Sequence, residues 1–286
     1  MTTYILRNAS PAKTKTDAVI VGVVKTPKGP VLAGAAEDVT KAYGRKLKPL
    51  LQALSLTGAS GELAKIPTAG AINSPLLVLI GLGEEKKVDA TVVRRAAGTA
   101  ARSVGNAASV ALALPSDTPE LVGAATEGFL LGGYTFETYK RDSKSEHEEA
   151  AEVVLLSGIA RKKGATAAFE RAQLLAESVA GVRDWVNTPA NDLNPPSFAE
   201  AVTALHGEVT KGRGAPKVGI EVWDEKKLAD EGCGGILGVG GGSETPPRLV
   251  KLTWNPSGAK SHIALVGKGV TYDSGGYTIK PAQSMV

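Results

Sequence analysis

Short apolar runs of strand length alternate with segments of helical period through the first half of the chain. Residues 17–24 (DAVIVGVV) and 76–82 (LLVLIGL) are β-branched or leucine-rich runs of the length expected for buried strands. Residues 108–114 (ASVALAL) and 151–157 (AEVVLLS) repeat the pattern. Between them, Asp89 stands as the N-cap of a segment whose Val92, Val93, Ala96, Ala97, Ala100 and Val104 make one helical face. Residues 119–131 read as another helix, ending before Gly132-Gly133. Strand–helix alternation of this kind predicts an α/β domain with a mainly parallel sheet over residues 1–163. The charge-dense run 142–149 reads as a solvent-exposed excursion from it.

Residues 164–186 read as one long helix, with Phe169, Ala172, Leu175, Val179, Val182 and Val186 at helical spacing. Asn187-Thr188-Pro189 closes it, since a proline disfavours helix in the residue before it. Residues 164–188 are therefore expected to be a linker helix, and 189–286 the N-terminal part of a second α/β domain. There Ser197 is expected to cap a helix over 198–206, and 218–222 reads as a strand followed by a Lys/Asp/Glu-rich helix. A glycine-dense stretch, 232–242, precedes expected strands at 248–254 and 262–268. The last of these carries Ile263, Ala264, Leu265 and Val266 in succession, which suits a strand covered on both faces.

Composition narrows the class without naming it. At 286 residues, 43% hydrophobic and 22% charged, the chain is an ordinary globular protein of one large or two smaller domains. Sparse aromatics (5%) and 34 glycines favour tightly packed α/β layers. Its net charge of +4 is spread over Lys13, Lys15, Lys25, Lys28 and Arg161-Lys162-Lys163, with no basic stripe carrying aromatics, so nucleic acid is not the expected partner. One cysteine, Cys233, excludes an internal disulfide, no run reaches membrane-spanning length, and Met1 is not followed by a basic and then apolar leader. These features together read as cytoplasmic, without membrane association.

Three histidines (His147, His206, His262) are dispersed and make no H-E-x-x-H, which argues against a histidine zinc site. Gly81-x-Gly83 follows a strand but lacks the third glycine of a dinucleotide loop, Lys86 standing in its place. The stretch 264–281, ALVGKGVTYDSGGYTIKP, is more informative. It places Lys268 and Asp273 at the C-terminal end of an expected strand, where open α/β sheets hold their chemistry, with Lys280 shortly after. Taken from spacing alone, the favoured reading makes Lys268 a strand-end lysine, Asp273 a turn residue and Lys280 a solvated lysine before Pro281.

The run from Gly267 through Pro281 resembles the G-K-G-x-T-[FY]-D-S-G-G-x-x-[IL]-K-P signature of the cytosolic leucine aminopeptidases, the di-metal exopeptidases of the M17 type, at every position. The stretch 185–191 (WVNTPAN), the run Gly240-Gly241-Gly242-Ser243 and the run Pro246-Pro247-Arg248-Leu249 extend the resemblance. It implies that Lys268 and Asp273 are metal ligands and that Lys280 is the electrophilic catalytic residue. A ligating lysine is chemically odd, because an ammonium has no lone pair until it loses a proton; burial and an adjacent cation make that loss possible.

The implied function is release of N-terminal amino acids, leucine-type, from peptides by metal-activated water at two divalent ions. Zn²⁺ or Mn²⁺ are the implied ions, Mg²⁺ being also compatible, and the assembly implied is a homohexamer. The family's next ligands, in M-K-x-D-M-G-G-A and N-T-D-A-E-G-R stretches, and the arginine that holds a bicarbonate base, have no counterpart up to Val286. The expectation is that these 286 residues are an incomplete view of a longer protein and do not catalyse alone. The competing expectation is a non-catalytic scaffold or binding relative of the same enzymes.

Overall fold

The apolar runs of the first half become strands of one sheet, and the amphipathic segments between them become its cover. The computed structural model describes residues 2–140, 150–275 and 278–284. The charged run 142–149 lies outside the described residues. The chain divides into two compact units, residues 1–183 and 184–286, and each is taken by itself below.

In chain order the first unit runs β1 (Thr3–Arg7), β2 (Ala18–Thr26), β3 (Gly29–Leu32), α1 (Glu37–Tyr43), α2 (Leu47–Ala53), β4 (Leu63–Pro67) and β5 (Leu76–Glu84). It continues through α3 (Ala90–Ser103), β6 (Ser109–Ala113), α4 (Pro119–Gly133), β7 (Glu152–Leu156) and α5 (Lys163–Asn187), whose last residues fall in the second unit. The sheet order is β1-β7-β6-β2-β5-β4, with β3 paired to β2. Neighbours from β1 to β5 are parallel, whereas β3 and β4 pair antiparallel. This is the mixed α/β fold with a mainly parallel sheet that the alternation predicts.

Register explains why the strands read as unbroken apolar runs. Ile20 stands opposite Val78 and Leu112, and all three enter one core with Val93, Ala97, Val122, Phe129, Ala165 and Phe169 from α3, α4 and α5. The neighbouring rung, Val19 with Leu77 and Ala111, points the other way into a second core with Val39, Leu47 and Leu51 from α1 and α2. With helices on both faces, successive side chains must all be apolar. Asp89 caps α3 as the sequence predicts, its Oδ1 accepting from Val92 N at 2.8 Å.

Helix α4 runs through Gly132 and Gly133 instead of stopping before them. A Cβ on Gly132 would come within 2.4 Å of Gly98 Cα, and one on Gly128 within 2.1 Å of the Arg94 carbonyl oxygen. These glycines are contact points between α3 and α4, so packing against the neighbouring helix outweighs their poor helix propensity.

The second unit contains α6 (Pro195–Val209), β8 (Val218–Trp223), α7 (Glu225–Asp230), α8 (Gly234–Gly240) and β9 (Leu249–Trp254). β8 and β9 pair antiparallel, Val218 opposite Trp254 and Trp223 opposite Leu249. The cap of α6 is Asn194, not Ser197: Asn194 Oδ1 accepts from Ser197 N, and Ser197 Oγ accepts from Asn194 N at 3.0 Å, a reciprocal capping box. Pro195 and Pro196 fill the first helical positions, where a missing N–H is lost at no cost. The glycine-dense stretch contains a short helix that its composition does not suggest.

The expected strand at 262–268 does not form. Ile263, Leu265 and Val266 are 78%, 94% and 96% exposed, and the segment pairs with no strand among the described residues. A strand apolar on both faces needs flanking strands and covering helices, and the described residues supply neither at this segment.

The α3/α4 glycines give a direct stability test. Gly128→Ala gains helix propensity of about 1 kcal/mol, but its methyl meets backbone, and overpacking of this kind costs about 1–3 kcal/mol or more. A Cβ on Gly181 in α5 would meet nothing within 4 Å. Urea unfolding should show a lowered midpoint for Gly128→Ala and a slightly raised one for Gly181→Ala. Equal responses would contradict the helix contact.

Candidate functional site

The residues singled out by sequence lie in an irregular segment of the second unit that follows β9. Its local order comes from a turn between Asp273 and Lys280. Lys280 N donates to the Ser274 carbonyl oxygen at 2.9 Å and closes the turn. Gly275 enters it with φ +90°, and a Cβ there would lie 2.3 Å from the Thr278 carbonyl oxygen and 2.9 Å from Lys280 N. Only glycine fits this position without opening the turn. Gly276 and Tyr277 lie outside the described residues.

The turn brings two of the three candidates together. Lys280 Nζ donates to Asp273 Oδ2 at 2.6 Å, and Gly275 N donates to Oδ1 at 2.9 Å. The pair is partly open to water, with the Lys280 side chain 37% and Asp273 66% exposed. The hydrogen bond from Lys280, then that from Gly275 N–H, then the ammonium's charge hold the Asp273 carboxyl below the usual aspartate range. Lys268 is exposed and makes no ion pair with Asp273 among the described residues.

The donor chemistry fits part of a divalent-ion site. Each Asp273 oxygen accepts one hydrogen bond and keeps a lone pair for an ion. Lys268 can add a nitrogen once deprotonated. Among the described residues no group of three or more His, Cys, Asp or Glu side chains comes together to hold a metal. Asp273 and Lys268 could thus supply two donors, and the described residues bring no further carboxylates to them.

Sequence reasoning names the three charged residues but not what organises them. The described residues between Asp273 and Lys280 form neither helix nor strand, and the pairing exists because Gly275 turns the backbone and the Ser274 carbonyl receives Lys280 N. The doubled glycine after Asp273-Ser274 is the one signal in the sequence that points to it.

Gly81, Gly83 and His206 have structural roles. Gly81 lies inside β5, where a Cβ would come within 1.9 Å of the Ala59 carbonyl oxygen, and Gly83 has φ +81°. Gly81 N donates to the Glu62 carbonyl and Gly83 N to the Gly58 carbonyl, so these glycines admit the 58–62 loop against the strand, not a nucleotide. His206 places a ring nitrogen 2.7 Å from the Val218 carbonyl oxygen, tying α6 to β8.

Comparison with known proteins bears out the family resemblance of the chain. Residues 180–286 match the catalytic domain of the cytosol aminopeptidase family, and residues 20–143 match that family's N-terminal domain. Probable cytosol aminopeptidases of Streptomyces avermitilis and Leifsonia xyli are 45% and 40% identical over 99% and 98% of this chain. The chain spans about half the length of these curated relatives, 56% and 52% respectively. Among solved structures, the bottromycin maturation enzyme BotP in complex with Mn superposes with a TM-score of 0.70 at 27% identity, over 93% of this chain and 51% of that one. A mutant of tomato leucine aminopeptidase shares the fold, with a TM-score of 0.78 at 19% identity over 96% of this chain and 55% of that one. With both domain signatures matched in order along one polypeptide, the chain belongs to the cytosol aminopeptidase family.

Proposed function

We propose that this chain supplies the N-terminal domain and the opening part of the catalytic domain of a metal-dependent aminopeptidase that removes N-terminal residues, leucine-type, from peptides. The observation that carries the reading is the Lys268, Asp273 and Lys280 set, in its signature spacing, inside a stretch matched to the family's catalytic domain. On this reading residues 1–163 form the N-terminal domain, 164–188 the linker helix, and 189–286 the beginning of the catalytic domain. Two divalent ions, Zn²⁺ or Mn²⁺ with Mg²⁺ also compatible, are the proposed cofactors, and a 27% identical neighbour was solved with Mn. Homohexamer assembly, a bicarbonate base held outside these residues, and a cytoplasmic location belong to the same proposal. In support of the location, the named relatives are cytosol aminopeptidases, and no described helix is long and apolar enough to cross a membrane.

The ions, when bound, polarise the scissile carbonyl and lower the pKa of water. Asp273 offers a hard anionic oxygen to such an ion, and Lys268 a neutral amine. Lys280 acts as its ammonium: beside Asp273 it donates hydrogen bonds to the substrate carbonyl oxygen as negative charge develops on it. The chain alone is proposed to be inactive, because its described residues gather too few ligands.

The test uses a polypeptide extended through the acidic ligands that the resemblance implies. Lys280→Ala should lower kcat on leucyl peptides by about 10²–10³-fold, the usual effect of losing one oxyanion donor, with metal content unchanged. Asp273→Asn should lose metal and activity together. Full metal occupancy after Asp273→Asn would refute the ligand assignment, and hydrolysis by residues 1–286 alone would refute the need for further ligands.

A further inference from the structure

The stretch around Trp185 and the helix after it bear on the catalytic signature through one contact. A Cβ built on Gly269 would lie 3.1 Å from Phe198 Cε1 and 3.5 Å from Cδ1, so the ring stands directly against the backbone next to Lys268. Phe198 is in turn braced by Trp185, the two rings meeting edge to face with centroids 5.1 Å apart and planes at 77°. Such pairs are directional and contribute about 0.5–1.5 kcal/mol beyond burial. Phe198 occupies the fourth position of α6, immediately after the Asn194/Ser197 capping box, and its N–H donates to the Asn194 carbonyl at 2.9 Å. All these residues belong to the second unit. The flanking residues Leu265, Val266 and Val270 are 94%, 96% and 61% exposed, so the Phe198 contact gives this otherwise open segment a fixed point.

We infer that Phe198 is a positioning residue for Lys268: the ring, held by Trp185 and the α6 cap, fixes the Gly269 backbone and so sets where the Lys268 amine is presented. The inference rests on the proposed assignment of Lys268 as a metal ligand. It also gives Gly269 a role that any side chain would disturb, since a methyl at 3.1 Å from a braced ring has to displace either the ring or the loop. Partners that orient a ligand without touching the metal typically change its affinity by about 10–100-fold when removed.

The experiment is NMR of the same extended polypeptide, labelled with ¹³C-glycine and ¹⁵N, with the Gly269 signal identified by its loss in Gly269→Ala. A ring held against this glycine shifts its α-protons away from the values of an open chain. Phe198→Leu, which keeps apolar bulk, should return them to open-chain values, and Phe198→Tyr should restore the wild-type shift. Unchanged amide signals of Ile220 and Leu252, on the paired β8 and β9, report that the unit stays folded. Added Mn²⁺ should broaden the Gly269 signal in wild type and Phe198→Tyr at concentrations roughly tenfold or more below those needed in Phe198→Leu. Gly269 shifts identical in wild type and Phe198→Leu would overturn the contact. Equal Mn²⁺ sensitivity in the two would overturn the positioning role while leaving the contact standing. A shift that responds to Phe198 in a chain that Mn²⁺ never broadens would instead count against Lys268 and Asp273 as ligands, and the positioning role would fall with them.

Discussion

A parallel sheet has no face that it can show to water, and this requirement governs the first unit. In the first unit it is met: β2 runs buried from Ala18 to Val24, with α3, α4 and α5 over one face and α1 and α2 over the other. The helices must then approach closely, which is why α3 and α4 meet through Gly98, Gly128 and Gly132. Cover on both faces also removes any need for alternation, since each residue of a central strand has an apolar layer to enter. In the second unit the same kind of sequence, Ile263 to Val266, finds no such cover among the described residues and stays irregular and exposed.

This difference sets what is legible in the sequence. The runs that become β2, β5, β6 and β7 are readable because their partners and their cover lie within the described chain. The Asp89 cap is readable because it is local, needing only its own side chain and the Val92 N–H. The edge strands β1, β3 and β4 are not: β1 and β4 mix polar and apolar residues, β3 is four residues opening on Gly29-Pro30, and β3 and β4 are antiparallel additions to the sheet. The α6 cap lies three residues before the expected Ser197 because Asn194 and Ser197 satisfy each other, and either one alone looks like a cap. At 262–268 the apolar run suits a strand but none forms, because strand formation is a tertiary outcome and depends on neighbours that pattern alone cannot supply.

At the site, sequence supplies the candidate residues and structure shows how they are organised. Lys268, Asp273 and Lys280 are recognisable by their place in the signature, while the Gly275 turn that seats Lys280 on Asp273 and the Phe198 ring against Gly269 are visible only in three dimensions. The two features act at opposite ends of the motif. One end is a glycine turn that holds an acid and an ammonium together; the other is an aromatic brace on the backbone beside the second lysine. An exposed ion pair like that between Asp273 and Lys280 adds little to stability. Its significance lies in keeping an anionic oxygen and a cationic donor within one short loop.

On the proposed function, a lysine of this loop binds metal through a neutral amine, and magnetic resonance of bound Mn²⁺ reads that bond directly. In the extended polypeptide labelled with ¹⁵N-lysine, electron–nuclear double resonance of the Mn²⁺ centre should show a ¹⁵N coupling that persists in Lys280→Met and vanishes in Lys268→Met. Bound Mn²⁺ with no ¹⁵N coupling, or a coupling that survives Lys268→Met, would contradict it.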